Sequence, residues 1–167
     1  MAGGFKAYGP TYNSTPFVRL GYEGDINGLH LLDQTATAAA NGELAGKIAA
    51  IGANGVCFAN KGQGAVGLFR EDLGDIINAS FNASFYFRGG EYYVAEERLG
   101  AAASTFAVGN TLTTDANGKL LVMPSDPTGY AAIGTVVSVG EFRNGNMYEW
   151  AGTTANGGNF VGFILHM

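Results

Sequence analysis

The cleanest alternation of apolar and polar positions runs from Ser80 to Phe87. Successive side chains of a strand point to opposite faces, so Phe81, Ala83, Phe85 and Phe87 share one face and Ser80, Asn82, Ser84 and Tyr86 the other. Three phenylalanines on one face predict a core anchor, each contributing about 2–3 kcal/mol on burial. Gly89 and Gly90 then predict a turn into residues 91–95 as the second arm of a hairpin. Upstream, residues 47–51, 56–60 and 65–69 are short β-forming runs separated by Gly52-Ala53-Asn54-Gly55 and Gly62-Gln63-Gly64.

The second half of the chain keeps the same grammar. Residues 106–114 read as a strand pair or a bent strand around Gly109-Asn110, 115–118 as a turn and 119–123 as a strand. Two prolines make 124–129 a loop, and 133–139 is strongly β-branched. Asn144-Gly145 predicts a hairpin turn between 140–143 and 146–150. Residues 160–165 are apolar on both faces, as a central or interface-covering strand would be.

Helical signals are weak. Residues 35–40 are alanine-rich but stop at Asn41-Gly42, which leaves a loop or a single turn. Leu73, Ile76 and Ile77 have helical spacing within 70–78, with Gly74 acting against a helix. Residues 1–17 show no period. They carry Pro10 and Pro16 among the isolated aromatics Phe5, Tyr8, Tyr12 and Phe17, and read as an extended N-terminal arm lying along a neighbour. The expectation is an all-β fold: a compact barrel or sandwich-like domain over 18–167, with room for a small subdomain around 100–140 and at most short helices.

Composition sharpens this picture. Twenty-seven glycines give tight turns but lose chain entropy on folding, so dense packing or partner subunits must compensate. Charged residues are 14% of the chain, against about 25% in an average domain. Such an exterior suits contact with other protein. The net charge is −5, and the nine basic residues are scattered singly from Lys6 to Arg143, which argues against direct nucleic-acid binding. Cys57, the single cysteine, excludes an intrachain disulfide and is expected as a buried, inert thiol. No apolar run approaches 18 residues and no leader is apparent, so no membrane partner is expected. The chain is expected to be made in the cytoplasm and to stay soluble until it docks.

Candidate chemistry is sparse. His30 and His166 lie far apart, without a cysteine or carboxylate cluster beside them, and no metal site is expected. Glu71-Asp72 with Asp75, and Glu96-Glu97, read as surface or subunit ion pairs rather than carboxylates facing across a cleft. Asp115 and Asp126 offer turn oxygens without the spaced series of a calcium loop. Gly62, Gly64 and Gly67 match a dinucleotide-loop spacing, but a strand-like run follows where a helix is required, so a strand-adjacent turn is expected and no cofactor. No catalytic residue is assigned and the chain is not read as an enzyme. Tyr92, Tyr93, Tyr130, Tyr148 and Trp150 could stack on sugar rings or anchor an interface.

Residues 65–98 hold the phenylalanine alternation, the Gly89-Gly90 turn, Tyr92-Tyr93 and Glu96-Glu97-Arg98. Residues 107–121 hold a polar Asp115-to-Gly118 turn between β-forming runs, and Ile133-Gly134-Thr135-Val136-Val137 follows. Together these stretches resemble the capsid decoration (cement) proteins of tailed bacteriophages. The resemblance implies a homotrimer on the outer surface of the virion head that clamps adjacent major capsid subunits, often through an N-terminal arm and strand addition. By that resemblance Phe5, Tyr8, Tyr12 and Phe17 would anchor the arm to capsid, and Glu71, Asp72, Arg88 and Arg98 would make polar contacts between subunits. The alternative reading is a non-catalytic glycan-binding or adhesion module on the virion surface.

Overall fold

A computed structural model describes residues 4–6, 17–20, 28–31, 33–37, 43–69, 82–86, 91–143, 146–149 and 159–166. In chain order these form β1 (Gly4–Lys6), β2 (Phe17–Leu20), β3 (Gly28–Leu31), α1 (Gln34–Thr37), β4 (Ile48–Gly52), β5 (Gly55–Phe58) and β6 (Ala65–Phe69). There follow β7 (Asn82–Tyr86), β8 (Glu91–Ala95), β9 (Thr111–Thr114), β10 (Leu120–Val122), β11 (Gly134–Arg143), β12 (Asn146–Glu149) and β13 (Phe160–Leu165). Short 3-10 turns cover Glu96–Arg98 and Ala103–Thr105. The fold is all-β, in two antiparallel sheets, with no long helix among the described residues.

The larger sheet has eight strands in the order β1-β12-β11-β13-β8-β2, with β9 pairing both β10 and β11. The smaller runs β3-β7-β6-β4-β5. Neither path closes into a barrel through the described pairings, although β3 and β5 approach one another. β13 lies between β11 and β8, the central place its two apolar faces predict. β11 and β12 pair as a hairpin with Arg143 opposite Asn146, which places Asn144-Gly145 between the paired ends. The β9–β10 hairpin turns where expected: the Asp115 carboxylate accepts hydrogen bonds from the Asn117 and Lys119 N–H groups at 2.8 and 3.0 Å.

Three expectations are corrected. β7 and β8 are not arms of one hairpin, because β7 pairs with β3 and β6 while β8 pairs with β13 and β2. The physical reason lies in β8 itself: Tyr92, Tyr93 and Val94 are all buried, so both of its faces need cover. Residues 106–114 form no strand pair; β9 begins at Thr111, after a turn in which Asn110 Oδ1 accepts the Ala107 N–H. Tyr86, assigned to the polar face, is half-buried and packs on the core, its ring 6.1 Å from that of Tyr92. The side chains of Phe81, Phe85 and Phe87 lie outside the described residues.

One apolar cluster joins the sheets. Cross-strand rows Val94–Val161–Val139 and Tyr92–Phe163–Val136 come from the larger sheet, and Ile48, Ala50 and Leu68 from the smaller. Leu99, Ala103, Phe106, Leu112, Leu120 and Ile133 fill the space between, so residues around 100–140 share the common core. On the opposite face of the larger sheet Tyr93 packs over Gly162. A Cβ there would come within 2.1 Å of Ser138 Oγ and 2.8 Å of the Tyr93 ring, which is why that position has no side chain.

Backbone polar groups at the junction are met locally. The Thr114 hydroxyl donates to the Ala59 carbonyl and accepts from the Gly62 N–H, both at 2.8 Å. The Ile48 N–H donates to the Gly118 carbonyl at 2.8 Å. The neighbouring Thr113 hydroxyl is also fully buried but has no hydrogen-bond partner. Adjacent threonines therefore predict opposite outcomes in chemical denaturation. Thr114→Val should cost about 1–3 kcal/mol, by stranding a carbonyl and an N–H. Thr113→Val should be neutral or stabilising, by removing an unpaired hydroxyl.

Candidate interaction surfaces

A strand at the end of a sheet presents unpaired N–H and C=O groups, a generic handle for a second chain. The longest run of strands in the larger sheet ends on β1 and β2, both drawn from the first twenty residues, and β10 forms a further edge beside β9. Two of the expected arm anchors therefore sit in edge strands, Phe5 opposite Met147 and Phe17 opposite Val94. Tyr8, Tyr12, Glu71, Asp72 and Arg88 lie outside the described residues.

Arg98 is placed by the Glu96–Arg98 turn with its side chain 7% exposed, and its Nε is 4.0 Å from the carboxylate of Glu97, which is 68% exposed. The guanidinium faces inward, and Glu97 carries the charge seen from outside. Glu96 turns to a different partner, its Oε1 accepting the Ala103 N–H at 2.9 Å. Adjacent carboxylates thus serve the local chain and a neighbouring arginine, respectively.

The Gly62, Gly64 and Gly67 spacing is a turn leading into β6, not the entry to a helix. Gly62 and Gly64 have φ of 72° and 67°, and Lys61 between β5 and Gly62 adopts 53°, the single non-glycine residue with positive φ among those described. Two turns brace each other here. The Ala131 N–H donates to the Lys61 carbonyl at 2.7 Å, Gln63 Nε2 to the Gly129 carbonyl at 2.6 Å, and the Lys61 ammonium sits 5.0 Å from the Tyr130 ring centroid. In the same loop, hydrogen bonds from the Thr128 side chain and backbone hold the Asp126 carboxyl below its ordinary range. The Asp126 and Asp115 oxygens both serve their own turns. No group of three metal-ligating side chains occurs among the described residues.

Of the five aromatic candidates for a surface platform, Tyr92 and Tyr93 belong to the interior and Tyr130 is half-buried beside Lys61. Tyr148 pairs through its backbone with Gly4 and Glu141, and Trp150 lies outside the described residues. His166 is tied down rather than loose, its Nε2 2.9 Å from Thr135 Oγ1 and its N–H donating to the Ile133 carbonyl. His30 lies in β3 opposite Ala83. Lys61 escaped the sequence reading, although Asn60 before it and Gly62 after it marked the turn.

Cys57 departs from expectation. It is half-buried rather than buried, because β5 ends its sheet and alternation turns Cys57 away from the buried Val56 and Phe58. Burial, and secondarily the Asp33 carboxylate, push its thiol above the ordinary cysteine value. No protein-family model matches the chain, and no curated protein matches it either.

Two measurements probe these placements. A Cβ at Gly62 would lie 2.2 Å from the Ala131 carbonyl oxygen on a backbone of positive φ, so Gly62→Ala should lower stability by about 2 kcal/mol or more in denaturant unfolding. Because the thiolate is the nucleophile, alkylation of Cys57 should still accelerate with pH above the range of a free cysteine. Asp33→Asn, which keeps an acceptor for the Ala36 N–H, should move that pH–rate profile down; an unmoved profile would exclude the Asp33 contribution.

Proposed function

We propose that this chain is a non-catalytic structural protein of a phage virion. It seats on the outer surface of the expanded head and clamps neighbouring major capsid subunits. The observation that supports this best is the origin of the sheet edges. β1, at one end of the longest run of strands in the larger sheet, and Phe17, which opens β2 at the other end, belong to the segment whose aperiodic aromatics call for a partner surface. A short segment lying along a sheet edge can exchange its pairing for that of another chain, which is how strand addition joins chains. The charge-poor composition supports the same reading, since a surface that lies against protein gains little from ions. So does the shared core between the sheets, which favours a rigid sandwich-like block over a barrel with an open mouth.

The mechanism is thermodynamic linkage. A protein that binds only the assembled, expanded shell stabilises that state by mass action, and repetition across a lattice adds avidity. In this proposal the protein works as a homotrimer. Phe5, Tyr8, Tyr12 and Phe17 hold the arm to capsid, and Glu71, Asp72, Arg88 and Arg98 make polar contacts between subunits. With the Arg98 guanidinium enclosed, its share of such a contact passes through exposed Glu97.

The test is direct. Purified protein is mixed with empty expanded heads and bound copies are counted by electron microscopy. Removing residues 1–12 should reduce apparent affinity by roughly tenfold or more, since each lost arm is multiplied across the lattice, while circular dichroism reports a folded domain. Undiminished binding after that deletion would sink the arm assignment, and failure of the intact protein to bind heads would sink the capsid reading.

A further inference from the structure

β1 and β2 follow one another in the chain yet occupy opposite ends of the path β1-β12-β11-β13-β8-β2, five strand spacings apart. At about 4.8 Å per spacing this is about 24 Å in a straight line. The residues between Lys6 and Phe17 number ten. A flexible chain of that length has a relaxed span of about 16–19 Å and a limit of about 36 Å. Seating β1 on its own β12 therefore demands a tether stretched beyond its relaxed size. Holding it there is a ladder of three residue pairs, Gly4 with Tyr148, Phe5 with Met147 and Lys6 with Asn146.

We infer that β1 is an exchanged strand: in the assembled protein, Gly4–Lys6 of one copy pairs with β12 of a second copy. The occupant of that edge is set by the pairing itself, because the complement of β12 is already a segment of this chain. Exchange conserves every hydrogen bond of the ladder and lets a ten-residue connection keep its relaxed span, and short connections between exchangeable elements favour swapping. Passed from copy to copy around a ring, the same contact closes a symmetric oligomer. The inference stands on sheet order and register; with Gly4–Lys6 committed to a sister copy, Phe5 acts between copies and the arm's capsid contacts fall to Tyr8, Tyr12 and Phe17.

Opposed residues of an antiparallel pair have Cα atoms about 4.5–5.5 Å apart, within disulfide range. In a Cys57→Ser background, one full-length chain carries Phe5→Cys and another Met147→Cys. The two are refolded together, oxidised mildly and run without reductant. Exchange predicts a reducible species at twice the chain mass containing one chain of each kind, well above the dimer formed by either variant alone. The double variant Phe5→Cys/Met147→Cys should give linked multimers. A bridge confined to single chains overturns the inference, and so does the absence of any bridge. Light scattering on the unmodified chain reads the same claim without cysteines. Monomer at every concentration overturns it, whereas an oligomer lost on removing residues 1–6 supports it.

Discussion

Two sheets can share an apolar core only if the backbone groups trapped at their junction find partners there. A buried amide or carbonyl left unpaired loses its water and gains nothing in return. The Thr114 hydroxyl meets this condition for two groups at once, taking the Gly62 N–H and giving its own proton to the Ala59 carbonyl. The Gly118 carbonyl does the same for Ile48, and the Lys61 carbonyl for Ala131. With those three ties in place, Ile48 and Leu68 of one sheet can lie against Val94, Phe163 and Leu112 of the other. The hydrophobic contribution of the core is larger in total, but its geometry follows from this polar seam.

The seam also accounts for the use of glycine. At Gly62 a positive φ coincides with close approach to Ala131, and at Gly162 the chain has ordinary geometry but no space. The first is a demand of conformation and the second a demand of packing. Rigidity follows where such turns meet: the Lys61 and Ala131 segments are held by hydrogen bonds from both directions, with the Lys61–Tyr130 pair over them.

Features decided within a few residues were legible in the sequence. Asp115 closes its own turn, β11 and β12 pair with Arg143 opposite Asn146 as the Asn-Gly between them predicted, and the two apolar faces of 160–165 mark a strand with neighbours on both sides. Features decided by distant partners were not. Alternation reads the same whether a strand pairs with its successor or with a segment seventy residues away, so Gly89-Gly90 suggested a hairpin where the chain in fact changes sheets. For the same reason Tyr92 and Tyr93 looked like surface aromatics, Cys57 like a core residue and Arg98 like an exposed contact. Each depends on whether its strand or turn lies inside the assembly or at its margin. Phe5 and Phe17 are an intermediate case: their lack of period predicted an extended segment, while the edge strands they occupy follow from topology alone.

The place of β13 has a consequence for biosynthesis. Its two neighbours, β8 and β11, both precede it in the chain, so on the ribosome each emerges before the strand that must lie between them. Until Phe160–Leu165 arrives, the larger sheet is split down its middle, with Tyr92, Val94, Val136 and Val139 lacking their central row. Pairings of such long sequence separation form late, and unpaired apolar edges invite association in the interval. A break in translation shortly before Phe160 would therefore release a product in which β8 and β11 face each other with open edges and the core lacks Val161, Phe163 and Leu165.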